Sequence, residues 1–186
     1  MKKFLWSLFG VGALLVSAQV AYTATDSQQF TVSVPKRVTI TAPSPSVTIN
    51  LTAADLTAAE LTTTDDVAFA NQTWAVKGNV KNGVKVDFDT NPFSNTTHPL
   101  DSIYQNAKLQ VTKGTSTGPA TWTLSTASNV ATTDYTSVTP GVRISYTSDR
   151  VGSSDFVVAM TFVAADLNAV TEGSYQTTVV GTVTEN

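Results

Sequence analysis

His98 is the single histidine of the chain, and there is no cysteine. A metal centre on that imidazole needs further His, Cys or carboxylate donors at ligand spacing, which its Thr97-His98-Pro99 setting does not supply. His98 therefore reads as a surface-loop histidine. Asp87, Asp89 and Asn91 stand at i, i+2 and i+4, a spacing that oxygen-ligand calcium loops use. Pro92 follows where the EF-hand form needs glycine, and no glutamate closes the loop. The three read as a solvated strand edge running into a loop, and Asp65-Asp66 as a turn with exposed acids. No pair of carboxylates stands out for acid/base work. Trp74 and Trp122 would suit a sugar-stacking platform, but both fall in phase with apolar strand neighbours, which makes them core residues. Asn50, Asn71 and Asn95 each begin an Asn-x-Thr triplet, which a threonine-rich chain produces by chance. The expectation is a protein that is not an enzyme, with no cofactor and no metal.

Composition narrows the partners. The 186 residues are 41% hydrophobic and 13% charged, with a net charge of −3. Lys2 and Lys3 precede an apolar run over 4–16, and small residues follow at Ser17, Ala18, Ala21 and Ala24. This is the layout of a secretory signal peptide over 1–24, cleaved after Ala18 or Ala24. The run falls short of the roughly 18 apolar residues that a membrane span requires. Either cut removes two lysines and no acid, taking the net charge from −3 to −5. Nucleic acid and anionic lipid both call for clustered Lys and Arg, and the longest such cluster is Lys36-Arg37. An exported chain without cysteine has no disulfide staples, so core burial or association must stabilise it.

The elements follow from period-two alternation. In 25–43, Phe30, Val32 and Val34 alternate with Thr31 and Ser33, Pro35 interrupts, and Val38 and Ile40 resume. Proline cannot donate to a ladder, so this predicts two strand pieces, 28–34 and 37–41. The first either closes its own domain's sheet or inserts into that of a neighbouring copy. Val47, Ile49 and Leu51 predict a further strand. In 52–64, Thr57 and Glu60 have capping-box spacing, which fits a short helical turn or a polar crossover loop. Trp74, Val76 and Val80, then Asn82-Gly83, then Val84, Val86 and Phe88 predict a β-hairpin. A loop is expected over 89–102. Strands follow at Ala107, Leu109 and Val111, at Ala120, Trp122 and Leu124, and at Val142, Ile144 and Tyr146, with a loop over 125–139. The stretch 155–163 is apolar on both faces, which predicts a central strand or one covered from outside the domain. In the last strand Tyr175, Thr177, Val179, Gly181 and Val183 face one way, and Gly181 predicts close approach of another backbone. Nine or ten strands make a single all-β domain over 25–186, an immunoglobulin-like antiparallel β-sandwich with an arm at 25–35.

The two ends of the chain, QQFTVSVPKRVTIT and EGSYQTTVVGTVT, resemble the cysteine-free fimbrial (pilin) subunits of the alternate chaperone-usher, colonisation-factor type. The middle resembles them only in strand spacing. In that family a subunit lacks one strand of its sandwich, and the N-terminal extension of the next subunit fills the groove. The resemblance implies that Phe30, Val32 and Val34 are donor-strand side chains and that Tyr175, Val179, Gly181 and Val183 belong to the strand bordering the acceptor groove. It implies identical subunits as partners, with a periplasmic chaperone, an outer-membrane usher and a host or surface glycan. The location would be the periplasm and then the cell surface or an extracellular fimbrium. Trp122-Thr123-Leu124 is also similar to the Trp-x-Leu motif of some cell-wall-associated domains, in one copy away from the C-terminus. The rival reading is a self-complete secreted sandwich that keeps 30–34 as its own first strand and binds carbohydrate or cell wall. An exported hydrolase stands third.

Overall fold

The computed structural model describes residues 28–43, 46–52 and 66–186. The expected signal peptide and the Thr57–Glu60 turn lie outside them. The chain divides into two units, Met1–Val34 and Pro35–Asn186. In the first, 28–34 forms no strand, against expectation, and Phe30, Val32 and Val34 are 83%, 87% and 75% exposed.

The second unit is an all-β sandwich. Its strands in order are β1 (Val38–Thr41), β2 (Val67–Ala68), β3 (Gln72–Gly78), β4 (Val84–Thr90), β5 (Phe93–Asn95) and β6 (Tyr104–Thr117). Then come β7 (Trp122–Leu124), β8 (Val130–Thr132), β9 (Val142–Ser148), β10 (Gly152–Val163), β11 (Tyr175–Gln176) and β12 (Val179–Glu185). One antiparallel sheet runs β1-β3-β10-β6-β5-β11, with β2 on β10 and β8 on β6. The other runs β12-β4-β9-β7. Among the described residues no helix is long and apolar enough to cross a membrane.

Alternation puts one apolar face of each sheet inward, and the two faces bury each other. Phe156 of β10 is fully buried at the centre, its ring 5.6 Å from Phe88, 5.4 Å from Trp122 and 5.0 Å from Tyr146. The Tyr146 hydroxyl donates to the Val111 carbonyl at 2.8 Å, satisfying the buried phenol. A second cluster gathers Phe93, Ala107, Phe162, Ala164 and Leu167, with Phe69 and Tyr175 packed against it. Met160 packs against both clusters.

Several expected elements differ. The Asn82-Gly83 hairpin is not formed: β3 and β4 belong to different sheets. Both edges of β3 are taken by β1 and β10, and both edges of β4 by β12 and β9. The segment between them is therefore an arch from sheet to sheet, with Val80 and Val84 turned into the core. The turn itself remains, since the Gly83 amide donates to the Val80 carbonyl at 3.0 Å. Gly83 has φ +81, and a Cβ there would lie 2.0 Å from the Ser148 carbonyl oxygen. Asn186 seats on this arch, its amide donating to the Gly83 carbonyl at 3.3 Å and its Nδ2 to the Ser148 carbonyl at 2.8 Å.

The final strand is also two. β11 pairs with β5 and β12 with β4, so the chain changes sheets at Thr177-Thr178. Thr90 pins the crossing: its hydroxyl donates to the Thr178 carbonyl at 3.1 Å and lies 3.2 Å from the Thr177 hydroxyl. Residues 46–52 are assigned no strand. β5 and β8 instead appear in stretches expected to be loops, β5 because Phe93 is buried in the second cluster. β10 lies between β3 and β6, a central strand, and its outward Val157, Ala159 and Val163 stay half-buried.

Candidate functional site

The ladder between β1 and β3 stops at Thr41↔Ala75, while β3 continues back to Gln72. Among the described residues β12 pairs only with β4. Two strand edges, one from each sheet, are thus left without a ladder partner over part of their length. Between them opens a cleft of about 1590 Å³. One wall is the segment 46–51, the other is 173–180.

The floor of the cleft is core. Val158 belongs to the central cluster, Phe162 to the second, and Met160 bridges them; all three line the cleft with Trp74 and Phe69. Apart from Phe69, which follows β2, these side chains come from β3 and β10, so the cleft is backed by the interior of the sandwich rather than by a surface hollow. Trp74 is held at its edge, 5.7 Å from the Phe88 ring in T-shaped contact.

Of the residues that the resemblance assigns to the acceptor groove, the structure brings Tyr175 and Val179 to the cleft. Tyr175 lies 5.3 Å from Phe162, and its hydroxyl donates to the Thr171 carbonyl at 2.9 Å. Gly181 and Val183 lie further along β12, off the cleft lining. What approaches Gly181 is not backbone: a Cβ there would stand 2.6 Å from Ile40 Cδ1 and 2.6 Å from Trp74 Cζ3. Phe30, Val32 and Val34 are exposed in the other unit. Sequence reasoning missed Met160, Phe162, Phe69 and Phe93 as cleft residues. The signal for Met160 and Phe162 was the two-faced apolar pattern of β10; nothing local in the sequence marked Phe69 and Phe93.

The acids are otherwise engaged. Asp87 is not on a solvated edge: it is buried on β4, with Lys85 Nζ at 2.9 Å and Arg143 at 3.9 Å, and it accepts from the Ser145 hydroxyl. Burial pushes its carboxyl up, but the Ser145 hydrogen bond, Lys85 and Arg143 together outweigh this and hold it below the usual range. Asp89 takes Arg143 through two bonds of 2.6 and 3.1 Å. No group of three His, Cys, Asp or Glu side chains gathers among the described residues. The His98 amide donates to Asn95 Oδ1 at 3.0 Å, and its Nδ1 stands 4.0 Å from Asp101.

One motif escaped sequence reasoning. Gly114-Thr115-Ser116-Thr117-Gly118 has the Gly-x-Ser-x-Gly form of a nucleophile elbow, which requires a strand, a sharp turn and a helix. Here it is the end of β6, paired with β10, and the Ser116 hydroxyl lies 2.9 Å from that of Ser154. Trp122 is buried and offers no sugar platform, whereas Trp74 shows one edge to the cleft. Compared with known proteins, the chain matches no family model, no curated protein and no solved structure.

Proposed function

We propose that this protein is a structural or adhesive subunit of a bacterial surface fibre that self-associates by β-strand donation, residues 30–34 of one copy filling the cleft of the next. The observation that carries the reading is the cleft itself. It opens onto core side chains between two strand edges that lack a ladder partner, in a chain that also holds an exposed alternating Phe30-Val32-Val34 segment. Strand addition satisfies such edges and removes them as aggregation sites. Burying three apolar donor side chains contributes roughly 1.5–3 kcal/mol each before the cost of association. An exported subunit with an open cleft calls for a periplasmic chaperone to cover it and an outer-membrane usher to release it.

The test is the state of the purified exported chain. Thin filaments in electron micrographs that are lost when 25–34 are deleted, with the folded deletion variant still binding a peptide of that sequence, support the reading. An intact chain that forms no filaments and does not bind that peptide overturns it. Trp74 and Tyr175 in the cleft favour one second reading, a carbohydrate-binding sandwich. That reading expects a glycan-array signal abolished by Trp74→Ala with the fold retained.

A further inference from the structure

Residues 47–51 repeat the pattern of the arm. Phe30-Thr31-Val32-Ser33-Val34 and Val47-Thr48-Ile49-Asn50-Leu51 are both apolar at alternate positions, with small polar residues between. The second copy lies along the cleft as one of its walls. It belongs to neither sheet, and Val47, Ile49 and Leu51 are 36%, 36% and 45% exposed. Alternating apolar side chains are thus held beside a cleft of mixed lining, backed by Val158, Met160 and Phe162, without being seated in a ladder.

We infer that 47–51 is an in-chain competitor for the cleft: it covers the opened core in the free subunit and is displaced when the arm of another copy enters. This rests on the strand-donation reading. A tethered strand acts at an effective concentration in the range of ~1 mM or more for a short link. A free peptide or a wrong partner must therefore outcompete it. The arm has the means to do so, because Phe30 brings a larger apolar surface than Val47, the residue in the same place of the repeat. Entry by displacement also spares the free subunit a fully exposed apolar furrow.

The experiment uses the full exported chain carrying Val32→Asp, which disables donation between copies, with and without Ile49→Ser or Leu51→Ser. The probe is a fluorescent peptide of residues 26–37. Weakening the competitor should speed peptide association about tenfold. It should also speed conversion of Met160 on the cleft floor to its sulfoxide by hydrogen peroxide, read by mass spectrometry without peptide. Asn50→Ser, on the polar positions of the repeat, should change neither, and an unchanged thermal midpoint shows that the variants are folded. A peptide that binds every variant at one rate, with Met160 oxidised at one rate, overturns the competitor and leaves strand donation standing. A peptide that binds none of them overturns both.

Discussion

Gly181 and Trp74 fit each other: a Cβ on the glycine would lie 2.6 Å from the indole Cζ3, so β12 passes the ring only because no side chain intervenes. Gly181→Ala should destabilise the sandwich by about 1–3 kcal/mol, the range for overpacking a core. Denaturant unfolding reads the loss. Trp74→Leu should recover part of it in the double variant, whereas additive losses would mean that the two do not share one space.

Gly83 is constrained by conformation as well as by space. Its φ of +81 costs a residue with a Cβ about 1–2 kcal/mol, and the Ser148 carbonyl adds a collision. Gly83→Ala should lower the thermal midpoint clearly, while Asn82→Ala should cost less. Equal effects would show that the turn does not need the left-handed conformation.

Acid should weaken the protein through Asp87. Its folded carboxyl titrates below the value of about 3.9 expected in the unfolded chain, so its contribution is present above that pH and is lost as pH falls through the folded value. Asp134, held down by Thr136, and Asp149, held down first by the Thr121 amide, act in the same direction. Asp87→Asn should cost about 1 kcal/mol at pH 7 and flatten the acid limb of a stability–pH curve. A variant with the same acid limb as the parent refutes this account of the site.

Two phenylalanines should behave oppositely. Phe156→Ala removes the ring at the centre of the core and should cost about 3–5 kcal/mol. If the arm is donated between copies, Phe30→Ser should leave the thermal midpoint of the free chain unchanged and abolish assembly. Loss of stability in the second variant would place Phe30 in its own sandwich.

The fold class was legible because alternation survives in nearly every long strand: the odd-numbered residues from Tyr175 to Val183 are all the less exposed ones. Partnership was not legible. Asn82-Gly83 carries the local chemistry of a hairpin turn, yet the edges on either side were already claimed by strands far along the chain. The break at Thr177-Thr178 leaves no trace in the alternation, because a strand that changes sheets keeps its faces. Val47, Ile49 and Leu51 show the converse, a strand pattern that forms no ladder in a single copy. The cleft was hidden for the same reason, since it is defined by where β1 stops pairing, which alternation does not encode.

The arch between β3 and β4 has a kinetic consequence. Because the tightest turn in this region joins two sheets, it cannot nucleate a ladder by itself. β3 can pair early only with β1, while its other edge must wait for β10 and β4 must wait for β9 and β12, across some 50 to 90 residues. Non-local pairing of this kind is slow, and β4 has no partner on one side until the last residues of the chain arrive. A newly made molecule therefore spends its most vulnerable interval with a central strand uncovered, and whatever shields it then matters as much to its yield as the stability of the finished sandwich.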